Sequence, residues 1–73
     1  MDTLDLHGIR HRDVGRELDY FLYENVNKNK KEVYVITGNS QQMKNIVKEH
    51  LVDYDMTCEE DFLNSGKLII KLI

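Results

Sequence analysis

Val33-Tyr34-Val35-Ile36-Thr37-Gly38-Asn39-Ser40 runs from a nearly continuous apolar stretch into a short polar loop. An apolar run of this length, rich in β-branched residues, reads as a buried strand from Glu32 to Thr37. Gly38 ends it. Asn39 or Ser40 is placed to cap a following helix, with Gln42 three residues beyond Asn39 in capping-box spacing. Met43, Ile46, Val47, His50, Leu51 and Tyr54 then recur at helical intervals and mark an amphipathic helix. The segment is a complete strand–loop–helix unit, the building block of parallel sheets with crossover helices.

Outward from it, the pattern repeats. Thr3 to His7 alternates, with Leu4 and Leu6 on one face and Asp5 and His7 on the other, a short half-buried strand punctuated by Gly8. Val14, Leu18, Phe21 and Leu22 make one stripe on a helix from about Arg12 to Val26. Gly15 costs that helix about 1 kcal/mol relative to Ala, and close packing on the sheet is its expected use. Asn25 to Lys30 is a polar loop. Downstream, a weak strand is expected from about Met56 to Glu60, a turn at Asn64-Ser65-Gly66, and a strongly apolar strand from Lys67 to Ile73 with Leu68, Ile70 and Leu72 on one side. The order is βαβαββ: an α/β two-layer sandwich with a mixed four-stranded sheet and both helices on one face. The apolar last strand belongs inside the sheet and the acidic third strand at its edge. No proline, repeat or low-complexity stretch divides the chain, so residues 1–73 read as one domain.

Composition narrows the function classes. A chain of 73 residues buries only about 60% of its unfolded surface, so the core is thin. No apolar run approaches the roughly 18 residues that span a membrane, and no basic segment leads into an apolar one at the N-terminus. A lone cysteine, Cys58, forms neither an internal disulfide nor a zinc cluster, so a reducing, cytoplasmic setting is expected. The net charge of −3 disfavours coating of duplex DNA by bulk electrostatics. Any polyanion must therefore meet a local basic cluster. Arg10, Arg12 and Arg16 gather near the N-terminus, while Asp53 to Asp61 holds five acidic residues and no Lys or Arg.

Topology places the chemistry. In parallel βα units, the loops after the strands meet at one edge of the sheet, beside the positive ends of the helices. His7-Gly8-Ile9-Arg10 and Thr37-Gly38-Asn39-Ser40 are those loops. Cations at a helix start oppose its dipole, so Arg10, His11 and Arg12 break a local rule where a ligand would explain it. Arg10 suits a bidentate phosphate clamp. Histidine exchanges protons near neutral pH, which makes His7 the candidate for acid–base chemistry on a phosphodiester. Asp5, on the same strand face, is placed to orient the imidazole or to hold a divalent ion. The alternative is a strand pair that only braces the loop. Thr37, Gly38, Asn39 and Ser40 would line the second loop, with Lys44 adding charge from the first helical turn. Thr37 and Ser40 read equally as a strand end and a helix cap. His50 reads as a packed boundary residue, and Tyr20, Tyr23 and Tyr54 as helix residues rather than a stacking platform. Two candidate ligands are too few for a stable metal site, so no cofactor is expected, a divalent ion being the alternative.

These residues also carry a family likeness. Leu4-Asp5-Leu6-His7-Gly8, with Arg10 two places on, resembles the LDLHG segment of the Smr (small MutS-related) domain. Val33 to Ser40 resembles that family's second strand and TGxG loop, and Asn64-Ser65-Gly66 before an apolar strand is similar to its third landmark. The resemblance implies the βαβαββ sandwich shared with the C-terminal domain of translation initiation factor three. It implies nucleic-acid binding and, in many members, endonuclease activity; RNA stands ahead of DNA as the substrate. Asp5, His7 and Arg10 match the first motif, and Thr37 and Gly38 the second. Ser40 departs from the pattern, standing where the family usually has its second glycine; its side chain either crowds a phosphate or donates a hydrogen bond to it. The alternatives are a non-catalytic RNA-binding module and a module that docks a protein, or a second copy, on the open sheet face through Tyr34, Ile69 and Ile73.

Overall fold

Order and pairing of the elements follow the apolar pattern. The computed structural model describes residues 2–72. It contains β1 (Thr3–Asp5), α1 (His11–Asn27), β2 (Glu32–Ile36), α2 (Gln41–Val52), β3 (Thr57–Asp61) and β4 (Asn64–Lys71) in one mixed sheet ordered β1-β2-β4-β3. β1 is parallel to β2, and β4 is antiparallel to both of its neighbours. The most apolar strand thus sits between two others, and the acidic β3 takes the edge, where charge discourages pairing with another chain.

Period-2 alternation divides the sheet into two unlike faces. Leu6, Val33, Val35, Leu68 and Ile70 are buried against Val14, Leu18, Phe21 and Leu22 of α1 and Met43, Val47 and Leu51 of α2. Each such side chain contributes about 1.5–3 kcal/mol on burial, which is how two short helices hold four short strands. The opposite face carries a charged ladder. Lys71 Nζ lies 2.7 Å from Glu32 and 3.9 Å from Glu59, and Lys67 Nζ sits 4.3 Å from the centre of the Tyr34 ring. Tyr34 and Ile69, paired across β2 and β4, are half-buried among these groups. Ile73 lies outside the described residues. Among the described residues, no helix is long and apolar enough to cross a membrane.

Several local expectations are corrected. Asn25 is not in the loop: it continues the α1 stripe three and four residues beyond Leu22 and Phe21, is fully buried, and donates through Nδ2 to the Phe21 carbonyl at 2.8 Å. β1 stops at Asp5, and His7 belongs to the following turn. Asn64-Ser65-Gly66 opens β4 instead of turning the chain; the hairpin turn is Phe62-Leu63, set by the Asp61 carboxylate, which accepts from the Leu63 amide at 2.9 Å. Tyr54 lies past the end of α2. Gly15 does serve close packing, but against a helix: a Cβ there would stand 3.1 Å from His50 Cε1.

His50 is pinned where it meets Gly15. Its Nε2 lies 2.7 Å from Asp19 Oδ1, the same oxygen that accepts from the Tyr54 hydroxyl. The bonds from Tyr54 first and then His50 hold the Asp19 carboxyl below the usual range, and the bond to Asp19 pushes the Tyr54 phenol up to about 12. Arg16, Asp19, Tyr20, Tyr23 and Tyr54 line a shallow groove of about 520 Å³ over this clasp. Because His50 cannot yield freely, Gly15→Ala should gain little of the roughly 1 kcal/mol that Ala brings to a helix interior. In a His50→Ala background the same substitution should gain most of it. Thermal or urea unfolding of the four proteins of this cycle should give a coupling of at least about 0.5 kcal/mol; strict additivity would separate Gly15 from the clasp.

Candidate functional site

Leu6 to Ile9 forms a tight turn, closed by the Ile9 amide donating to the Leu6 carbonyl at 3.0 Å. Gly8 takes φ +87°, the left-handed conformation needed at the third position of a type II turn. Nothing lies within 4 Å of where its Cβ would be, so conformation alone calls for glycine. Asp5 Oδ1 accepts from the His7 amide at 2.9 Å. The carboxylate therefore orients the backbone of the turn, not the imidazole. Ile9 packs against the core and anchors the far side of the turn, while His7 and Arg10 stay exposed.

The second loop is built against β4. The Gly66 carbonyl accepts from the amides of Thr37 at 2.8 Å and Gly38 at 3.1 Å. The Thr37 bond continues the β2–β4 register, and on the other side of β4 the ladder bulges: Glu60 pairs with Leu68 but Asp61 with Asn64, leaving Ser65 to Lys67 outside the regular β3 ladder. Asn64 Oδ1 accepts from the Gly66 amide at 2.9 Å, and Ser65 Oγ donates to Asn39 Oδ1 at 3.1 Å. Gly38 has φ +66°, and a Cβ on it would lie 3.4 Å from His7 Cδ2. A Cβ on Gly66 would come within 3.3 Å of the Gly38 backbone. Three glycine-bearing segments are thus pressed side by side, with the His7 ring against Gly38.

These contacts sort the expected site residues. His7, Gly38, Asn39 and Ser40 converge on one sheet edge, and Arg10 lies three residues past His7 on the same loop. Thr37 is buried; its hydroxyl donates to the Gly38 carbonyl at 2.9 Å, so it braces the loop and presents nothing to a ligand. The Gly38 amide is likewise spent. Ser40, not Asn39, caps α2, accepting from the Met43 amide at 3.0 Å, and this leaves its hydroxyl proton to donate outward. The capping box with Gln42 does not form. Lys44 is buried and its Nζ lies 3.2 Å from Glu60, so its charge is committed to β3. Sequence reading did not place Ser65 and Gly66 in the site, which they join from β4. The conspicuous Asn-Ser-Gly triplet was their signal, read as a turn.

Electrostatically, the edge carries cations that no carboxylate neutralises among the described residues. α1 begins at Arg10 with no side-chain cap, so its first amides stay open to an acceptor. Among the described residues, neither Arg10 nor Arg12 has a carboxylate partner, whereas Arg16 lies 3.5 Å from Asp13. Exposed guanidinium groups, uncapped helical amides and an exposed imidazole can bind a phosphate and exchange a proton beside it. Among the described residues, no three His, Cys, Asp or Glu side chains gather as a metal site. Burial pushes the Cys58 thiol up, away from the thiolate a nucleophile requires.

Comparison with known proteins identifies the fold and the family. The Smr domain family model matches residues 4–70. The solution structure of the Smr domain of NEDD4-binding protein 2 superposes with a TM-score of 0.78 at 24% identity, covering 100% of this chain and 86% of that one. The solution structure of the B3BP Smr domain gives 0.73 at 24% identity, over 99% of this chain and 78% of that one. No curated protein matches the sequence. The family match runs from the first strand to the last and takes in both loops of the edge: the chain belongs to the Smr domain family, whose members generally bind nucleic acid.

Proposed function

We propose that this Smr domain binds RNA, ahead of DNA, across the edge formed by the His7–Arg10 and Gly38–Ser40 loops, and that His7 cleaves the bound phosphodiester. The observation that carries the reading is the meeting of the exposed His7 ring with Gly38, beside an uncapped helix start where Arg10 and Arg12 have no carboxylate partner among the described residues. Arg10 clamps a phosphate, the open amides of α1 and α2 take its remaining oxygens, and the Ser40 hydroxyl donates to it. RNA brings its own nucleophile. The 2′-oxygen attacks the adjacent phosphorus, the bond from phosphorus to the 5′-oxygen breaks, and a 2′,3′-cyclic phosphate forms. His7 either takes the proton from the attacking hydroxyl or gives one to the departing oxygen.

A binding module without catalysis is the second reading. The Asp5 carboxylate favours it, because it holds the His7 amide and leaves the imidazole without an orienting partner. Docking of a protein on the open sheet face has less support, since Lys71, Glu32, Glu59 and Lys67 form a charged ladder around Tyr34 and Ile69.

Two substitutions test the proposal on labelled RNA and DNA, with and without divalent metal. Arg10→Ala should weaken RNA binding about tenfold and lower the slope of log K against log salt by about 0.7, one phosphate contact on a single strand. An unchanged slope would make Arg10 a surface charge. His7→Ala should slow cleavage by about 10² to 10⁴-fold with binding nearly intact. Cleavage by His7→Ala at the wild-type rate would remove the catalytic assignment, and no cleavage by either protein would leave the binding module.

A further inference from the structure

Phe62 and Leu63, the two-residue tip of the β3–β4 hairpin, are 97% and 89% exposed, more than any other large apolar side chain among the described residues. The turn does not need them. Its geometry comes from the Asp61 carboxylate holding the Leu63 amide, and small polar residues would sit there without exposing apolar surface. The tip is also next to the site. Residue 64 begins β4, Ser65 Oγ bonds Asn39, and the Gly66 carbonyl holds Thr37 and Gly38, so the hairpin turn projects at the same sheet edge as the two loops. In the sheet order β1-β2-β4-β3 the hairpin tip lies two to three strand spacings, about 10–14 Å, from β1. The acidic residues beneath the tip are neutralised: Glu60 by Lys44 at 3.2 Å and Asp61 by Lys67 at 3.7 Å. A polyanion held at the loops therefore meets an aromatic ring at the tip without crossing unpaired carboxylates there.

We infer that Phe62 is a base-stacking residue, its ring taking the face of an unpaired nucleobase in the strand whose phosphate lies at the Arg10 and Ser40 loops, with Leu63 covering the base edge. The inference rests on the nucleic-acid reading above and makes it more specific. A base within a duplex has both faces occupied, so the site selects single-stranded or unpaired segments. The arginine end contributes affinity that depends on salt, and the tip contributes affinity that does not.

The chain has no tryptophan, so Phe62→Trp places a single indole at the tip. Its emission should be quenched saturably by a short single-stranded oligouridylate and left unchanged by a blunt RNA duplex. Phe62→Ala should bind the oligouridylate about tenfold more weakly than wild type, with an unaltered salt slope. Wild-type affinity in Phe62→Ala, alongside weakened binding in Arg10→Ala, would overturn the stacking role while leaving the edge in place. Failure of the wild-type protein to bind either nucleic acid would overturn it through the nucleic-acid reading itself. A blue shift of the indole on raising protein concentration alone would assign the tip to a second copy of the chain and also overturn it.

Discussion

The Gly66 carbonyl accepts from two consecutive amides, those of Thr37 and Gly38, and the edge of the molecule is organised around that acceptor. It ends β2 by drawing its last amides towards the β4 bulge. It sets Gly38 in the left-handed region, against the His7 ring, and the chain then passes through Asn39 to the Ser40 cap of α2. A buried amide left without an acceptor costs about 1–3 kcal/mol, so Thr37, buried as it is, depends on this contact. The close approach of Gly66 to the Gly38 backbone admits no side chain without movement, which ties two segments far apart in sequence to one geometry. The candidate site is in this sense a property of three strands together, not of either loop motif alone.

Charge placement explains how a net-acidic protein can offer a cationic edge. Three lysines of the sheet and of α2 are matched to carboxylates, Lys44 with Glu60, Lys67 with Asp61, and Lys71 with Glu32, while Lys48 of α2 is in no ion pair among the described residues. Solvent-exposed pairs of this kind contribute about 0–1 kcal/mol each, so their main consequence is where they leave net charge. Arg10 and Arg12, at the uncapped start of α1, stay unmatched among the described residues and stand where the helix dipole adds to their field instead of cancelling it. The separate clasp of Asp19, His50 and Tyr54 joins the helices at the other layer and draws His50 and its tyrosine neighbours away from the edge.

The sequence revealed what depends on periodicity. The βαβαββ order, the central place of β4, the edge position of β3 and the meeting of the first two loops all followed from apolar spacing and parallel topology. Contacts between segments distant in the chain did not. Lys44 stands one turn into a helix like any solvated lysine, and only the fold brings Glu60 to it. Asp5 shares a strand face with His7 in an ideal strand, but the turn begins early and gives the carboxylate a backbone partner. Asn-Ser-Gly has the composition of a turn, yet the bulge uses it as strand, while Phe62-Leu63 turns through an aspartate two residues before Leu63. Gly15 was legible as a packing glycine, though not what it packs against, because a single stripe cannot say whether sheet or helix lies beneath it.

The central claim is that one sheet edge, and not the helical groove or the open sheet face, meets the nucleic acid. The most direct measurement is an amide chemical-shift titration of the isotopically labelled protein with a single-stranded RNA oligonucleotide. Saturable shifts are expected at His7 to Arg12, Gly38 to Gln42 and the residues around Ser65, weakening together as salt is raised. Shifts centred on Tyr20, Tyr23 and Tyr54, or on Tyr34 and Ile69, would contradict it.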